Sequence, residues 1–299
     1  MLRSIQGYLL DRITQRWVQF TGRKVNLEED VWLAGPIGNP TGIGEDYFQN
    51  LARQQRWEVK LNVTRTGLLQ DFNALRSASF DPGTIVPEVR SFYENTSNYE
   101  LDAWSEWCGV FRPLGWLLAI LFSRRLQQLN VPLSSLDTSR GMTSDILQLV
   151  DPDSGHVYLT AWLRRLLSSG NVLYAGAYST CKVPGYLGTC VKVVFPLPNG
   201  NAIVIMRPVA HPDGSFSVIS EGIGFGDSGF YFTVHSVRDV RVRYVRQMRE
   251  SIHVYMGEQG TVRADHVLKI FGITFLRLHY RLRLRSQLPT VPSHQTASA

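Results

Sequence analysis

His266 and Tyr280 are polar side chains on strand phases that are otherwise apolar, and that placement gives them the strongest claim to chemistry in this sequence. The first interrupts Val262, Ala264, Leu268 and Ile270; the second interrupts Leu276, Leu278, Leu282 and Leu284. A histidine so placed is ordinarily a core residue with one satisfied hydrogen bond. The functional alternative makes the two residues polar anchors of an apolar ligand pocket. The opposite phase of the second strand carries Arg277, His279, Arg281, Arg283 and Arg285. Alternate residues of a strand lie about 6.8 Å apart. Arg277, His279, Arg281 and Arg283 are therefore a candidate anion-binding stripe for nucleic-acid phosphates or an anionic membrane surface. A solvated outer face that also protects a sheet edge explains the same residues. No metal site is expected, because His253 and His279 fall on the phase opposite His266 and a metal needs several converging ligands. His253, beside Asp265, reads as a surface ion pair.

Three glycine-rich segments resemble known chemistry and fail its requirements. Gly224-Phe225-Gly226-Asp227-Ser228-Gly229 matches GxGxxG, but a dinucleotide site needs that loop to open a helix. Phe230-Tyr231-Phe232-Thr233-Val234 follows and reads as a strand, so the glycines read as a turn or bulge. Gly226-Asp227-Ser228-Gly229 also resembles the nucleophile loop of trypsin-like proteases. No Ala-Ala-His-Cys segment precedes it, so base and orienting acid have no residues. The loop 35–44 leads into a helix, a geometry that can bind phosphate. It lacks Gly-Lys-Ser/Thr, and Glu45 and Asp46 stand where the anion would go. No catalytic residue is nominated and no cofactor is expected.

The elements that must position these residues follow from periodicity and turn residues. Leu2, Ile5, Leu9, Ile13, Trp17 and Phe20 predict an N-terminal helix. Further helices are expected at 45–55, at 68–78, from Pro87 through Phe92 and Tyr93, and over most of 99–129; a strand is expected at 57–63. Trp104, Trp107 and the apolar residues 111–122 read as a cap over the β-region, or as a membrane-interface segment. After residue 140 short β-patterned runs recur, near 143–149, 156–164, 171–181, 188–197, 201–208, 215–220 and 229–235, with turn residues between them. Residues 202–206 are apolar on both phases, which predicts a central strand covered on both sides. In the hairpin after residue 250, a three-residue loop with Gly260 left-handed aligns Val254 with Ala264 and His253 with Asp265, so that like faces match.

The predicted fold is α+β. A mainly helical region 1–140 packs on an antiparallel β-barrel or strongly curved sheet over 141–288, and 289–299 is a disordered tail. With 44% apolar and 19% charged residues in 299, the composition supports a sizeable core. The net charge of +6 is concentrated: residues 235–285 hold ten arginines and one lysine against four acids. An electrostatic partner would meet that part. No secretory leader is read at the start, and the longest apolar run, 115–122, is too short to span a bilayer. Cys108, Cys181 and Cys190 are read as reduced thiols, and the chain as a cytoplasmic, bacterial protein.

Residues 266–280 (HVLKIFGITFLRLHY), with 226–232 upstream, resemble the C-terminal domain of the bacterial YndJ-like family. The resemblance is read over roughly the C-terminal half. It implies the fold and no activity, and some members carry an added membrane region.

Three functions remain open at this stage. One is non-catalytic binding of an apolar small molecule or lipid in a β-cup, anchored by His266 and Tyr280. Another is an anionic partner on the arginine stripe, whether membrane surface or nucleic acid. The last is an enzyme of unknown class, the least favoured because no nucleophile, base and electrophile converge. No specific protein partner is inferable.

Overall fold

The structure, a computed structural model, describes residues 2–38, 44, 46–109, 141–167, 170 and 172–285. Helix α1 (Leu2–Thr21) opens the chain and stops at Gly22, whose N–H bonds the Val18 carbonyl at 2.7 Å. A Cβ there would lie 2.4 Å from that carbonyl oxygen, so glycine is required. Helix α2 (Tyr47–Gln55) buries Tyr47, Phe48 and Ala52 and ends on Arg56 in the left-handed conformation. Helix α3 (Pro87–Glu94) starts with proline at its first turn, where no amide hydrogen is needed, and buries Val89, Phe92 and Tyr93.

The strands are β1 (Arg23–Val25), β2 (Glu58–Leu61), β3 (Tyr99–Trp107), β4 (Met142–Val150), β5 (Val157–Leu166), β6 (Val172–Val183) and β7 (Tyr186–Leu197). They continue as β8 (Gly200–Ala210), β9 (Phe216–Ile219), β10 (Gly229–His235), β11 (Val240–Tyr244), β12 (Met248–Met256), β13 (Val262–Ile270) and β14 (Ile273–Leu284). All their pairings are antiparallel, in the order β2-β4-β5-β6-β7-β8-β9-β12-β13-β14-β3. The sheet forks at β8. Its second half pairs β9, while its first half pairs β10, which leads to β11 and β1.

Two cores lie on opposite faces of the central strands. Trp162, Tyr178, Val191, Val193, Val204 and Met206 face one core, with Phe72, Phe92 and Tyr93 from the preceding helix and turns. Leu163, Ala177, Cys190, Val194, Ile203 and Ile205 face the other, with Trp32, Leu33, Tyr47 and Phe48. Residues 202–206 are thus covered on both sides, as their composition requires. The β12–β13 hairpin adopts the face-matching register, Val254 opposite Ala264 and His253 opposite Asp265, with Gly260 at φ +69°.

Several expectations are corrected. The sheet is strongly curved, but no pairing among the described residues joins β2 to β3, so it is not closed into a barrel. Tyr99–Trp107, expected as helix, is a strand on β14. Its alternation Glu100, Asp102, Trp104, Glu106 on the outer phase supplies the partners that β14 needs. The helix expected at 68–78 shrinks to a 3-10 turn at Phe72–Leu75, held by the Asp71 carboxylate accepting from the Asn73 amide. Strands β1 and β11 were not anticipated. The remainder of the expected helix from 110, most of the loop 39–45 and the tail lie outside the described residues.

Phe216 on β9 joins the two halves of the first core. It is fully buried, with ring centroids of Phe72, Tyr93 and Phe80 at 5.0, 5.2 and 5.5 Å. Phe216→Ala should lower unfolding stability by about 3–5 kcal/mol in urea denaturation. A loss below about 1 kcal/mol would show that this aromatic cluster does not hold the helix and turns to the sheet.

Candidate functional site

The apolar phases of the strands do not meet in a filled core everywhere. They leave a cavity of about 640 Å³ on the inner face of the curved sheet. Pleating sets the lining: β12 contributes Met248, Ile252 and Val254, β13 Ala264 and Leu268, and β14 Leu276, Leu278 and Leu282. These are the even-numbered phases picked out from the sequence. Val193 and Val204 line it from the central strands, and Trp17 and Val18 from α1. Helix α1 is held there by Gln15 Nε2 donating to the Pro198 carbonyl at 2.9 Å and by Trp17 packing on Phe232.

One part of the wall is polar. His266 and Tyr280 both line the cavity, joined by Arg164, Tyr174, Tyr178 and Glu250. His266 Nε2 lies 3.2 Å from the Glu250 carboxylate. The Arg164 guanidinium carbon sits 3.8 Å from the Trp162 ring centre, 4.5 Å from that of Tyr174 and 5.4 Å from that of Tyr280. Trp162 is itself fixed by its Nε1–H donating to Ser144 Oγ at 2.8 Å. The Tyr174 and Tyr178 hydroxyls are 2.7 Å apart. Burial raises the pKa of all three cavity tyrosines, Tyr178 to about 12, with Arg164 pulling the other way.

Arg164 and Glu250 were not picked out from the sequence, although a signal exists. Arg164 continues the inward phase Thr160, Trp162, and Glu250 the phase of Ile252 and Val254. Both are charges on a strand face that is otherwise buried, and both are less than a tenth exposed.

The arginine stripe lies on the opposite face of β14 and meets carboxylates. Arg281 and Arg283 share Asp102 at 2.8 and 3.1 Å, Arg277 reaches Glu106 at 3.5 Å, and His279 Nδ1 meets Asp265 at 2.7 Å. The expected His253–Asp265 pair does not form. His253 Nε2 instead lies 2.8 Å from Ser215 Oγ, next to His211, whose Nε2 lies 2.8 Å from Ser217 Oγ. Because Ser215 Oγ donates to Asp213 at 2.6 Å, it accepts from His253. Its proton is therefore directed away from the imidazole, contrary to the arrangement of an activated nucleophile. Cys181 and Cys190 stand opposite each other on β6 and β7 as free thiols; burial pushes them up to about 11 and about 12. Among the described residues no cluster of three His, Cys, Asp or Glu could hold a metal ion.

The tyrosines give a pH prediction. The folded-state pKa of Tyr178 is raised from 10.0 to about 12, so the folded state keeps a proton that the unfolded chain releases. That contribution is complete below pH 10 and is lost as pH rises through 12. Phenolate absorbance of the native protein should show no step from Tyr178 near pH 10, so Tyr178→Phe should leave the native titration there unchanged. Loss of a native step near pH 10 in the variant would mean that this phenol is open to bulk water.

Comparison with known proteins gives one informative likeness. The chain is 27% identical over 243 residues to YndJ of Bacillus subtilis (strain 168), named an uncharacterized membrane protein. The match covers 80% of this chain, more than the C-terminal half read from the motifs, and 41% of the relative. The chain thus spans about two fifths of that protein's length. No family model and no solved structure matches. The expectation of a cytoplasmic protein is corrected by this finding, since the relative carries the name of a membrane protein. Among the described residues no helix is long and apolar enough to cross a membrane. The chain resembles YndJ, as its C-terminal residues indicated.

Proposed function

We propose that the chain is a non-catalytic binding module that holds an apolar or amphipathic small molecule of lipid type inside the curved sheet. The observation that carries this reading is the cavity of about 640 Å³, lined mostly by apolar side chains and holding one charged cluster. Its size falls within the range of small-molecule pockets, about 300–1,000 Å³, and its lining has the usual composition of such sites. His266 and Tyr280 belong to the polar cluster and serve as anchors for the occupant. The name of the relative adds support, because a protein associated with a membrane has lipids within reach. The arginine stripe is a weaker candidate. A surface whose guanidinium groups already share Asp102 and Glu106 must give up those contacts to take phosphates.

The neutral apolar dye N-phenyl-1-naphthylamine tests the proposal. The delipidated protein should bind it with enhanced fluorescence and roughly one-to-one stoichiometry. Leu278→Trp and Leu268→Trp, which fill the cavity from its partly buried wall, should each weaken binding tenfold or more while the folded circular-dichroism spectrum is kept. Dye binding unaffected by both variants would place the dye elsewhere and count against the cavity.

A further inference from the structure

We infer that the polar end of the cavity takes the anionic headgroup of a single-chain amphiphile, a carboxylate or a phosphate monoester, with Arg164 as its counter-ion. The inference rests on the binding reading above and names the chemistry of the occupant.

Arg164 is 7% exposed, carries a guanidinium cation, and lines the cavity. A buried cation is costly unless it is paired. Among the described residues no carboxylate forms an ion pair with it, whereas its neighbour Arg165 has Asp145 at 3.0 Å. Its Nε is buried and has no hydrogen-bond partner. The rings of Trp162, Tyr174 and Tyr280 stabilise the charge through their π faces. The Tyr280 hydroxyl also takes a hydrogen bond from the guanidinium, but none of the three side chains supplies a negative charge, and Nε keeps no acceptor. Glu250, the carboxylate on the lining, is engaged by His266. The cluster therefore holds a cation fixed by aromatic walls, with a donor left over, beside about 640 Å³ of apolar space. A planar guanidinium matches the two oxygens of a carboxylate or phosphate, and the apolar lining of β12, β13 and β14 suits an acyl chain. Were Arg164 only a structural prop for the three rings, the cavity would show no preference for an anion.

The test uses the delipidated full chain and displacement of N-phenyl-1-naphthylamine by dodecanoate, dodecyl phosphate and dodecanol, below their micelle concentrations and at a pH where the acids are ionised. In the wild type, at least one of the two anions should displace the dye at a tenfold or lower concentration than dodecanol. The better anion identifies the headgroup as carboxylate or phosphate. Arg164→Met should lose that preference while still binding the dye, and Arg164→Lys should keep part of it. Equal potency of dodecanol and both anions in the wild type would overturn the inference and leave the cavity reading standing. A preference that survives Arg164→Met would overturn it too. The wild-type comparison decides the matter even if the methionine variant does not fold. A wild type that does not bind the dye would remove the cavity reading, and this inference with it.

Discussion

Strands β7 and β8 are apolar on both faces, and each face has to be covered by different parts of the chain. On the outer face, Ile203 and Ile205 meet the aromatic residues of α2 and the turn before it. On the inner face, Val204 and Met206 share a core with α3, the 3-10 turn that carries Phe72, and Phe80 of the bridged turn Ser77–Phe80. Burying one large apolar side chain contributes roughly 1.5–3 kcal/mol, so two such faces commit the sheet to a layer on each side. Helix α3 also reaches β12 and β13, and Leu68, Phe92 and Tyr93 of this layer line the cavity together with the inner phases of β12, β13 and β14. A sheet covered on one face alone would have no such enclosed side.

The fork at β8 brings a second branch, and helix α1 with it, to the cavity wall. Half of β8 belongs to the β10–β11 branch and half to the β9–β12 branch. Helix α1 rests on the first branch, with Arg243 over the Trp17 ring and donating to the Thr21 carbonyl. Trp17 and Val18 thereby become part of the cavity wall. The opposite wall is closed by β14 and β3, whose outer faces are joined by the arginine–carboxylate contacts. Exposed pairs of this kind stabilise little individually. Their more evident role is to fix which strand lies on β14, since Glu106, Asp102 and Glu100 stand opposite Arg277, Arg281 and Arg283 in register.

Local features of this architecture were legible in the sequence. The hairpins from β4 to β9 announce themselves by period-two alternation and turn residues, and the β12–β13 register follows from face matching around Gly260. The inward phase of β14, with Tyr280 on it, was legible for the same reason. Non-local features were not. β3 reads as part of an aromatic-rich helical stretch until its acidic alternation is set against the arginines of β14, far away in sequence. β11, Val240–Tyr244, alternates valine with arginine and was hidden by its shortness and charge. In the site, His266 and Tyr280 stood out as polar groups on apolar phases. Arg164 and Glu250 obey the same rule, but a charged side chain on a strand is ordinarily assigned to solvent unless its neighbours' burial is known.

The central claim is that the cavity is occupied by an amphipathic molecule in the working protein. Native mass spectrometry of the freshly purified, untagged chain tests it most directly. The account predicts a retained extra mass of lipid or metabolite size, released when the protein is denatured. A bare polypeptide mass, in preparations whose fold is intact and which were never exposed to detergent or organic solvent, would contradict it.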